Sequence, residues 1–307
     1  MSISTPQNVT MPRKPINWGL IGIYAFLTLG ALISAFPFVH MLLTSVKSYG
    51  SVIAGNLWPW APLGAEPVQW QNYPDAITTI GWDSKWQMFM FFRYTLNSIL
   101  VTMIIVAGIL VTSIFAAYTF AQINVPGKNA LFLLLLATIM LPPDLTLVPK
   151  AVMMYQLKNP FGGGPWYNTY LALTVPFLAS VLGIFLLRQF FMQIPRELFD
   201  AALIDGAGHL RYLFQVLLPL SKPALVTVAL LNFIWSWDSF KWPLLVTRDN
   251  SMRVLAVGLQ QFLVGEGGTK IHLMMAFSAL VVVPIIIFYL FTQNYFTQGI
   301  ASTGIKG

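Results

Sequence analysis

Six long apolar runs constrain the fold of this chain more than any other feature. They cover Trp18–Leu43, Tyr94–Phe120, His272–Tyr295 and residues 130–155, 167–187 and 224–246. A helix needs about 20 apolar residues to cross the hydrocarbon of a bilayer. Because an open sheet in lipid would leave backbone groups without hydrogen-bond partners, helices are the expected conformation. The runs therefore predict an all-α integral membrane protein with six transmembrane helices.

The composition supports a membrane protein and argues against nucleic-acid and metal binding. Only 9% of its residues are charged, against about 25% in a typical soluble domain. The formal net charge is +7, but the basic residues are scattered between the apolar runs, so lipid and not nucleic acid is the expected partner. The absence of cysteine excludes disulfides and thiolate metal ligands, and the three histidines are too scattered in sequence to predict a metal site.

The first apolar run is expected to remain in the protein, because it is longer than the roughly 7–15-residue core of a cleavable signal peptide. We divide the chain into an N-terminal segment (1–17), a membrane domain (18–295) and a tail (296–307), with long polar loops at 47–93 and 188–223. Basic residues are spread evenly over the two sides of such a bundle. Only Arg13 and Lys14, just before the first run, favour a cytoplasmic N-terminus.

Two of the apolar runs carry charges at membrane depth. Asp144 and Lys150 lie in the third run, and Asp238 and Lys241 lie in the fifth. Such charges are costly in lipid and usually face the interior of a bundle or a wet cavity. The third and fifth runs are therefore predicted to line a pathway. The alternative is that these charges sit at the membrane interface or form an ion pair at a helix break.

The loop from Pro195 to Pro223 has the local signs of a short docking helix. Pro195 suits a first helical turn, and Glu197 and Asp200 place negative charge near the positive end of the helix dipole. Gly206 or Gly208 is predicted to end the helix in a left-handed cap. The alternative is a surface helix hairpin that packs on its own bundle.

The spacing of this loop resembles the EAA loop of ABC importer permeases. That pattern is Glu-Ala-Ala, three residues, Gly, nine residues, Ile, one residue and Leu-Pro. Its counterparts here are Asp200-Ala201-Ala202, Gly206, Val216 and Leu218-Pro219. Two departures are conservative, Asp200 for Glu and Val216 for Ile. Since Asp200 is one methylene shorter, Glu197 is a candidate to supply part of the carboxylate contact.

Shorter motifs in the same order extend the resemblance to the carbohydrate branch, which includes the maltose-type permeases. They are Asn97-Ser98, Phe120-Ala121, Gly127-Lys128, Asp205-Gly206-Ala207, Leu218-Pro219-Leu220, Trp237-Asp238-Ser239-Phe240 and the tail from Gly299 to Gly304-Ile305-Lys306-Gly307. Each motif is weak alone, but their combined order and spacing are specific.

The resemblance implies a type I ABC importer permease fold, with a cytoplasmic coupling helix between transmembrane helices four and five. It implies a plasma (inner) membrane location, cytoplasmic termini and an extracytoplasmic 47–93 loop. The implied partners are a second permease subunit, a cytoplasmic ABC ATPase dimer, an extracytoplasmic solute-binding protein and a sugar-like solute. ATP and magnesium would bind the ATPase, because Gln122 stands where a phosphate-binding loop ending in Gly127-Lys128 needs glycine.

Two sets of site residues follow from the resemblance. The predicted ATPase-coupling residues are Glu197, Asp200, Ala201, Ala202, Asp205, Gly206, Leu218 and Pro219. Aromatic faces and carboxylates or amides bind the C–H groups and hydroxyls of sugars. The predicted substrate-pathway residues are accordingly Asn232, Trp235, Trp237, Asp238, Lys241 and Asp144. The alternative for the tryptophans is packing against the partner subunit.

Other classes share part of the pattern. A secondary transporter or channel has similar hydropathy and buried charges but does not need the Asp-Ala-Ala loop. An importer permease for a non-sugar solute keeps that loop. An intramembrane enzyme would need a carboxylate pair such as Asp144 with Asp238, and nothing in the sequence places these two together.

Overall fold

A computed structural model describes residues 18–57, 67–160, 164–263 and 269–304 of the chain. The predicted N-terminal segment 1–17, part of the 47–93 loop and the last three residues of the tail lie outside the described residues. The α-helices are α1 (Trp18–Ser45), α2 (Tyr49–Ile53), α3 (Asn72–Thr79), α4 (Met90–Gln122), α5 (Lys128–Ala137), α6 (Pro143–Gln156), α7 (Tyr170–Thr174), α8 (Val181–Phe191), α9 (Glu197–Ile204), α10 (His209–Tyr212), α11 (Leu218–Leu220), α12 (Lys222–Trp237), α13 (Lys241–Val246), α14 (Leu255–Gly258) and α15 (Ile271–Gly304).

Shorter elements join these helices. The strands β1 (Trp82–Asp83) and β2 (Met88–Phe89) pair antiparallel before α4. A π-helical stretch, Leu213–Leu217, connects α10 to α11. Single 3-10 turns are Thr138–Met140, Val175–Phe177, Asn250–Met252 and Leu259–Phe262. α15 continues past residue 295 to Gly304.

Four helical segments of the described chain are long and apolar enough to cross a membrane: Gly19–Ser45, Met90–Gln122, Tyr170–Phe191 and Ile271–Gln293. Two further segments are helix pairs with a sharp bend. Lys128–Met140 meets Pro143–Gln156 at 94°, and His209–Leu220 meets Lys222–Trp237 at 79°. The described chain thus has four spans, or up to six if each bent pair is one span.

The run at 130–155 is not one straight helix, and prolines are the physical reason. The chain is extended at Leu141 and at Pro142, and α6 begins at Pro143. Proline disfavours helical geometry in the residue before it. It is well suited to the first turn of a new helix, where its missing N–H costs little. The tandem prolines therefore end one helix and start the next.

The run at 224–246 is also interrupted. α12 ends at Trp237 and α13 starts at Lys241, with no helix between them. Proline in a helix interior removes a hydrogen bond and clashes with the carbonyl four residues earlier. A continuous helix would set Pro243 against the carbonyl of Ser239, which explains a break at this point.

The core forms where α4, α8 and α12 meet, and α15 packs on α12. Gly183 of α8 permits the close approach of the first three helices. A Cβ atom there would lie 2.8 Å from the Ser113 Oγ of α4 and 3.2 Å from the Val228 Cγ1 of α12. Small residues allow helix backbones in membranes to pack closely. α1 lies along α15, yet its most apolar window has no buried residue.

The buried pair Asn97-Ser98 connects α4 by hydrogen bonds to the segment that follows α13. The Asn97 amide donates to the carbonyls of Ser251 and Arg253, both at 2.8 Å, and accepts from the Tyr170 hydroxyl at 2.7 Å. Ser98 Oγ accepts from the backbone N–H of Leu255 at 2.7 Å. Buried polar groups need such partners. These two residues therefore have a structural role that the sequence motif did not disclose.

Candidate functional site

An open cleft of about 330 Å³ lies between α6, α12 and α13. Its walls are built from the two interrupted runs, because the break before α6 and the break before α13 both face it. The lining residues are Pro143, Asp144, Thr146, Leu147, Lys150, Phe177, Ile234, Trp235, Asp238, Ser239, Phe240, Lys241 and Trp242. Four of the six predicted substrate-pathway residues therefore share one cavity.

An ion pair crosses this cleft. Lys241 Nζ lies 3.0 Å from both carboxylate oxygens of Asp144, and it joins the first turn of α13 to the first turn of α6. The side chains are 66% and 69% exposed, so the pair contributes at most about 1 kcal/mol to stability. Asp144 thus pairs across the cleft with Lys241. Lys150 of α6 instead sits 5.9 Å from the centroid of the Phe177 ring.

Aromatic side chains form the apolar part of the cleft wall. Trp235 is 50% exposed and meets the Phe177 ring edge-on, with 5.2 Å between ring centroids. Phe177 also contacts buried Trp242 in the same manner at 5.3 Å. Asp238 is exposed at the C-terminal end of α12. The cleft therefore combines a free indole face with two acidic and two basic side chains, and its formal charges balance.

The two remaining pathway candidates do not line the cleft. Asn232 is buried, and its amide donates to the Val228 carbonyl of its own helix at 2.8 Å. Trp237 is only 2% exposed and donates from Nε1 to the Val281 carbonyl of α15 at 3.0 Å. Its ring stacks on Phe233. Trp237 is therefore a packing residue of this chain's own core.

Sequence reasoning did not select Phe177 or Trp242. Phe177 comes from the helical turn between α7 and α8, far from the charged runs in sequence. No local pattern sets it apart from other aromatics in an apolar run, because its place in the cleft depends on tertiary packing. Trp242 follows Lys241 directly and is placed by the break before α13.

The loop after α8 forms the predicted short helix, α9. Glu197 and Asp200 occupy its first turn, and both are exposed. Gly206 ends it with a φ of 77°, a left-handed conformation that suits glycine. The Gly206 N–H donates to the Leu203 carbonyl at 3.0 Å and the Ala207 N–H to the Ala202 carbonyl at 2.8 Å. These two bonds form a Schellman cap. Gly208 instead precedes α10 with an ordinary φ of −77°.

α9 has three large apolar side chains that are exposed. Ile204 is 88% exposed, Leu203 48% and Leu198 40%, whereas Phe199 is the one buried residue of the helix. Ala201 and Asp205 are exposed, and Ala202 is half-buried against the core. Exposed apolar patches rimmed by charge are typical of protein interaction sites.

Leu218 and Pro219 lie apart from α9 in sequence, in α11, next to the bend that leads into α12. Leu218 packs against the core and Pro219 is exposed. In one continuous helix the ring of Pro223 would clash with the Pro219 carbonyl four residues earlier. At the bend, Ser221 Oγ donates to the Leu217 carbonyl at 2.7 Å. This end of the predicted coupling set therefore marks where the loop enters α12.

Comparisons with known proteins agree with this architecture. The family described as binding-protein-dependent transport system inner membrane component matches residues 23–302. The arabinooligosaccharides transport system permease protein AraQ of Halalkalibacterium halodurans is 30% identical over 302 residues, covering 97% of this chain and 100% of the relative. The sn-glycerol-3-phosphate transport system permease protein UgpE of Brucella abortus (strain 2308) is 30% identical over 95% of this chain and 98% of its own length.

A solved structure shares the fold. It is the crystal structure of a bacterial ABC transporter involved in the import of the acidic polysaccharide alginate. The matched chain has a TM-score of 0.73 and 22% sequence identity, with 93% of this chain and 100% of that chain covered. At this identity the likeness supports the fold alone.

Proposed function

This chain belongs to the family of binding-protein-dependent transport system inner membrane components, and we propose that it moves a sugar or sugar-like solute into the cytoplasm by alternating access. It is the permease component of a binding-protein-dependent importer. The observation that carries the proposal is the family match, which takes in nearly all of the described chain, including the cleft and α9. Relatives of the same length named for arabinooligosaccharides and for glycerol-3-phosphate support a hydroxylated solute.

We assign the solute pathway to the cleft between α6, α12 and α13. Trp235 offers an aromatic face to the apolar C–H side of a sugar ring, and Asp238 is free to accept hydrogen bonds from hydroxyls. Asp144 and Lys241 already form an ion pair across the opening. A wet cavity is also the setting in which charged residues at membrane depth are tolerated.

α9 is assigned as the coupling helix that docks on a cytoplasmic ATPase. The exposed apolar side chains of α9 and its acidic first turn support this role, since Ile204 is 88% and Leu203 48% exposed in the described chain. ATP and magnesium bind the ATPase in this scheme, and the permease itself has a transport role. With each bent pair counted as one span, six spans put both termini on the same side of the membrane as α9, which is the cytoplasm if α9 docks on the ATPase. The 47–93 loop is then outside, where a solute-binding protein docks. A second permease subunit completes the pathway.

α12 provides the mechanical connection between the two sites. It begins beside the loop bend at Ser221 and ends at Asp238 in the cleft, and a helix of 16 residues is about 24 Å long. A displacement of the loop on ATP binding would therefore move the cleft wall that carries Trp235 and Asp238. This motion opens the cleft alternately to the two sides of the membrane.

The proposal is tested by purifying the tagged chain from its native membrane after mild cross-linking and identifying its partners by mass spectrometry. A second permease, an ATPase and a binding protein are expected, and ligand screening of that binding protein then names the solute. The cross-linked sample controls for subunits lost in detergent. Recovery of the chain alone, with uptake that follows the proton gradient and not ATP, would replace the importer with a secondary transporter or channel.

A further inference from the structure

The short helix α9 is attached to the bundle through a small aromatic cluster. Phe199, its one buried residue, stacks on the His209 ring with 5.1 Å between ring centroids. The same phenyl ring meets Tyr212 edge-on at 5.0 Å. Both partners belong to α10, so the cluster holds α9 against the next helix of its own loop.

A single side-chain hydrogen bond extends this cluster to α4. The Tyr118 hydroxyl and the His209 Nδ1 are 2.8 Å apart, and their rings meet edge-on at 6.0 Å. Tyr118 is 4% exposed and lies in the last turns of α4, a helix that packs on α8 and α12. His209 therefore touches the anchor of α9 with its ring face and the central helix of the bundle with its ring edge.

We propose that His209 is a positioning residue that links the coupling helix to α4, so that a movement of α9 passes into the bundle core by a second route besides α12. The inference rests on the proposed function for the role of α9. A stacked ring resists separation only weakly. A hydrogen bond to a buried hydroxyl adds direction, and breaking it leaves a polar group without a partner. The link is therefore stiff in the direction that joins Phe199 to Tyr118.

Side-chain geometry supplies matched variants. In His209→Asn the amide group occupies the place of Nδ1 and keeps a partner for Tyr118. In His209→Gln the amide reaches the place of Nε2, and the bond is lost. Tyr118→Phe removes the hydroxyl and keeps the ring. If His209 only packs, His209→Asn and His209→Gln should behave alike. If its hydrogen bond to Tyr118 is what matters, only His209→Asn should behave like the parent.

The test measures distances between spin labels in the purified importer complex. The chain has no cysteine of its own, so Arg196→Cys at the start of α9, which is not a predicted coupling residue, and Met103→Cys on the exposed face of α4 introduce the label sites. The distance distribution is recorded by pulsed electron resonance with and without ATP, after cysteines of the partner subunits are replaced. Thermal unfolding of each variant checks that the bundle stays folded.

The parent and His209→Asn are expected to give one narrow distribution that shifts as a whole when ATP binds. His209→Gln and Tyr118→Phe should give broadened distributions, with part of the ATP-dependent shift lost. Equal widths in all four proteins, with the ATPase still bound, would overturn the link and leave the proposed function intact. If no ATPase co-purifies with the parent, the proposed function fails, and the widths measured on the chain alone still decide whether the link exists.

Discussion

Lys241 Nζ lies 3.0 Å from both carboxylate oxygens of Asp144, although the two residues are 97 positions apart in sequence. Each sits in the first turn of a helix that follows a break, so the pair ties together the two interrupted segments at the cleft. Its high exposure makes it a poor source of stability. We therefore interpret it as a contact that can be exchanged for contacts with solute hydroxyls.

Charge exchange tests this interpretation. Asp144→Asn and Lys241→Met should each lower ATP-driven uptake while changing the free energy of unfolding by about 1 kcal/mol or less, because the pair is exposed. The double variant Asp144→Lys with Lys241→Asp restores the attraction and should recover part of the uptake. Uptake is measured in cells against the amount of chain in the membrane. Single variants with unchanged uptake would remove the pair from the transport mechanism.

The two tryptophans of α12 should behave oppositely. Trp235→Ala is expected to reduce uptake at nearly normal stability, because half of this side chain is exposed in the cleft. Trp237→Ala should cost about 3–5 kcal/mol, since it removes a buried indole from the core. Thermal unfolding of the purified variants and uptake per folded chain separate the two effects. A Trp237→Ala protein as stable as the parent would contradict its placement between Phe233 and Val281.

Gly206→Val is expected to abolish transport while leaving the chain in the membrane. Valine at a φ of 77° is strained by at least about 1–2 kcal/mol, which favours a different end to α9. No atom lies within 4 Å of the added Cβ position, so the effect is one of backbone conformation. Gly208→Val is the matched control, because its φ is −77° and its Cβ position is also open. Equal uptake by the two variants would mean that transport does not need the left-handed cap at Gly206.

Gly183→Ala should destabilise the bundle by about 1–3 kcal/mol, because the new methyl group overpacks the contact of α4, α8 and α12. Gly22→Ala in α1 serves as the control, since no atom lies within 4 Å of its Cβ position. The melting temperature of each purified variant gives the comparison. If Gly183→Ala has the same melting temperature as the parent, these helices are less tightly packed than the structure shows.

Sequence patterns disclosed the features that local chemistry determines. The apolar runs gave the membrane helices, and the acidic first turn with a following glycine gave α9 and its cap at Gly206. The tandem prolines marked the third run as unusual. Charges at membrane depth also identified Asp144, Asp238 and Lys241, which the structure brings into one cleft.

The remaining features depend on contacts between distant segments. The sequence predicts Asn232 and Trp235 together as pathway residues, but the buried Asn232 amide donates to the Val228 carbonyl of its own helix and does not line the cleft. Phe177 and Tyr118 lie in apolar runs where no local pattern sets them apart. Phe177 lines the cleft and Tyr118 contacts His209 only because helices distant in sequence pack against them. The coupling role of α9 and the solute pathway remain predictions.

The bare surface of α1 has a consequence for the order in which the chain is assembled. It contacts α15, but its 18-residue apolar window holds no buried residue, so packing on the bundle contributes little to its helical state. In a membrane, such a helix satisfies its own backbone and is stable before it finds neighbours. The broken segments around Pro142 and Pro243 need neighbouring helices to cover their freed backbone groups. Biogenesis should therefore begin with an autonomous first helix, and the cleft should be among the last parts to form.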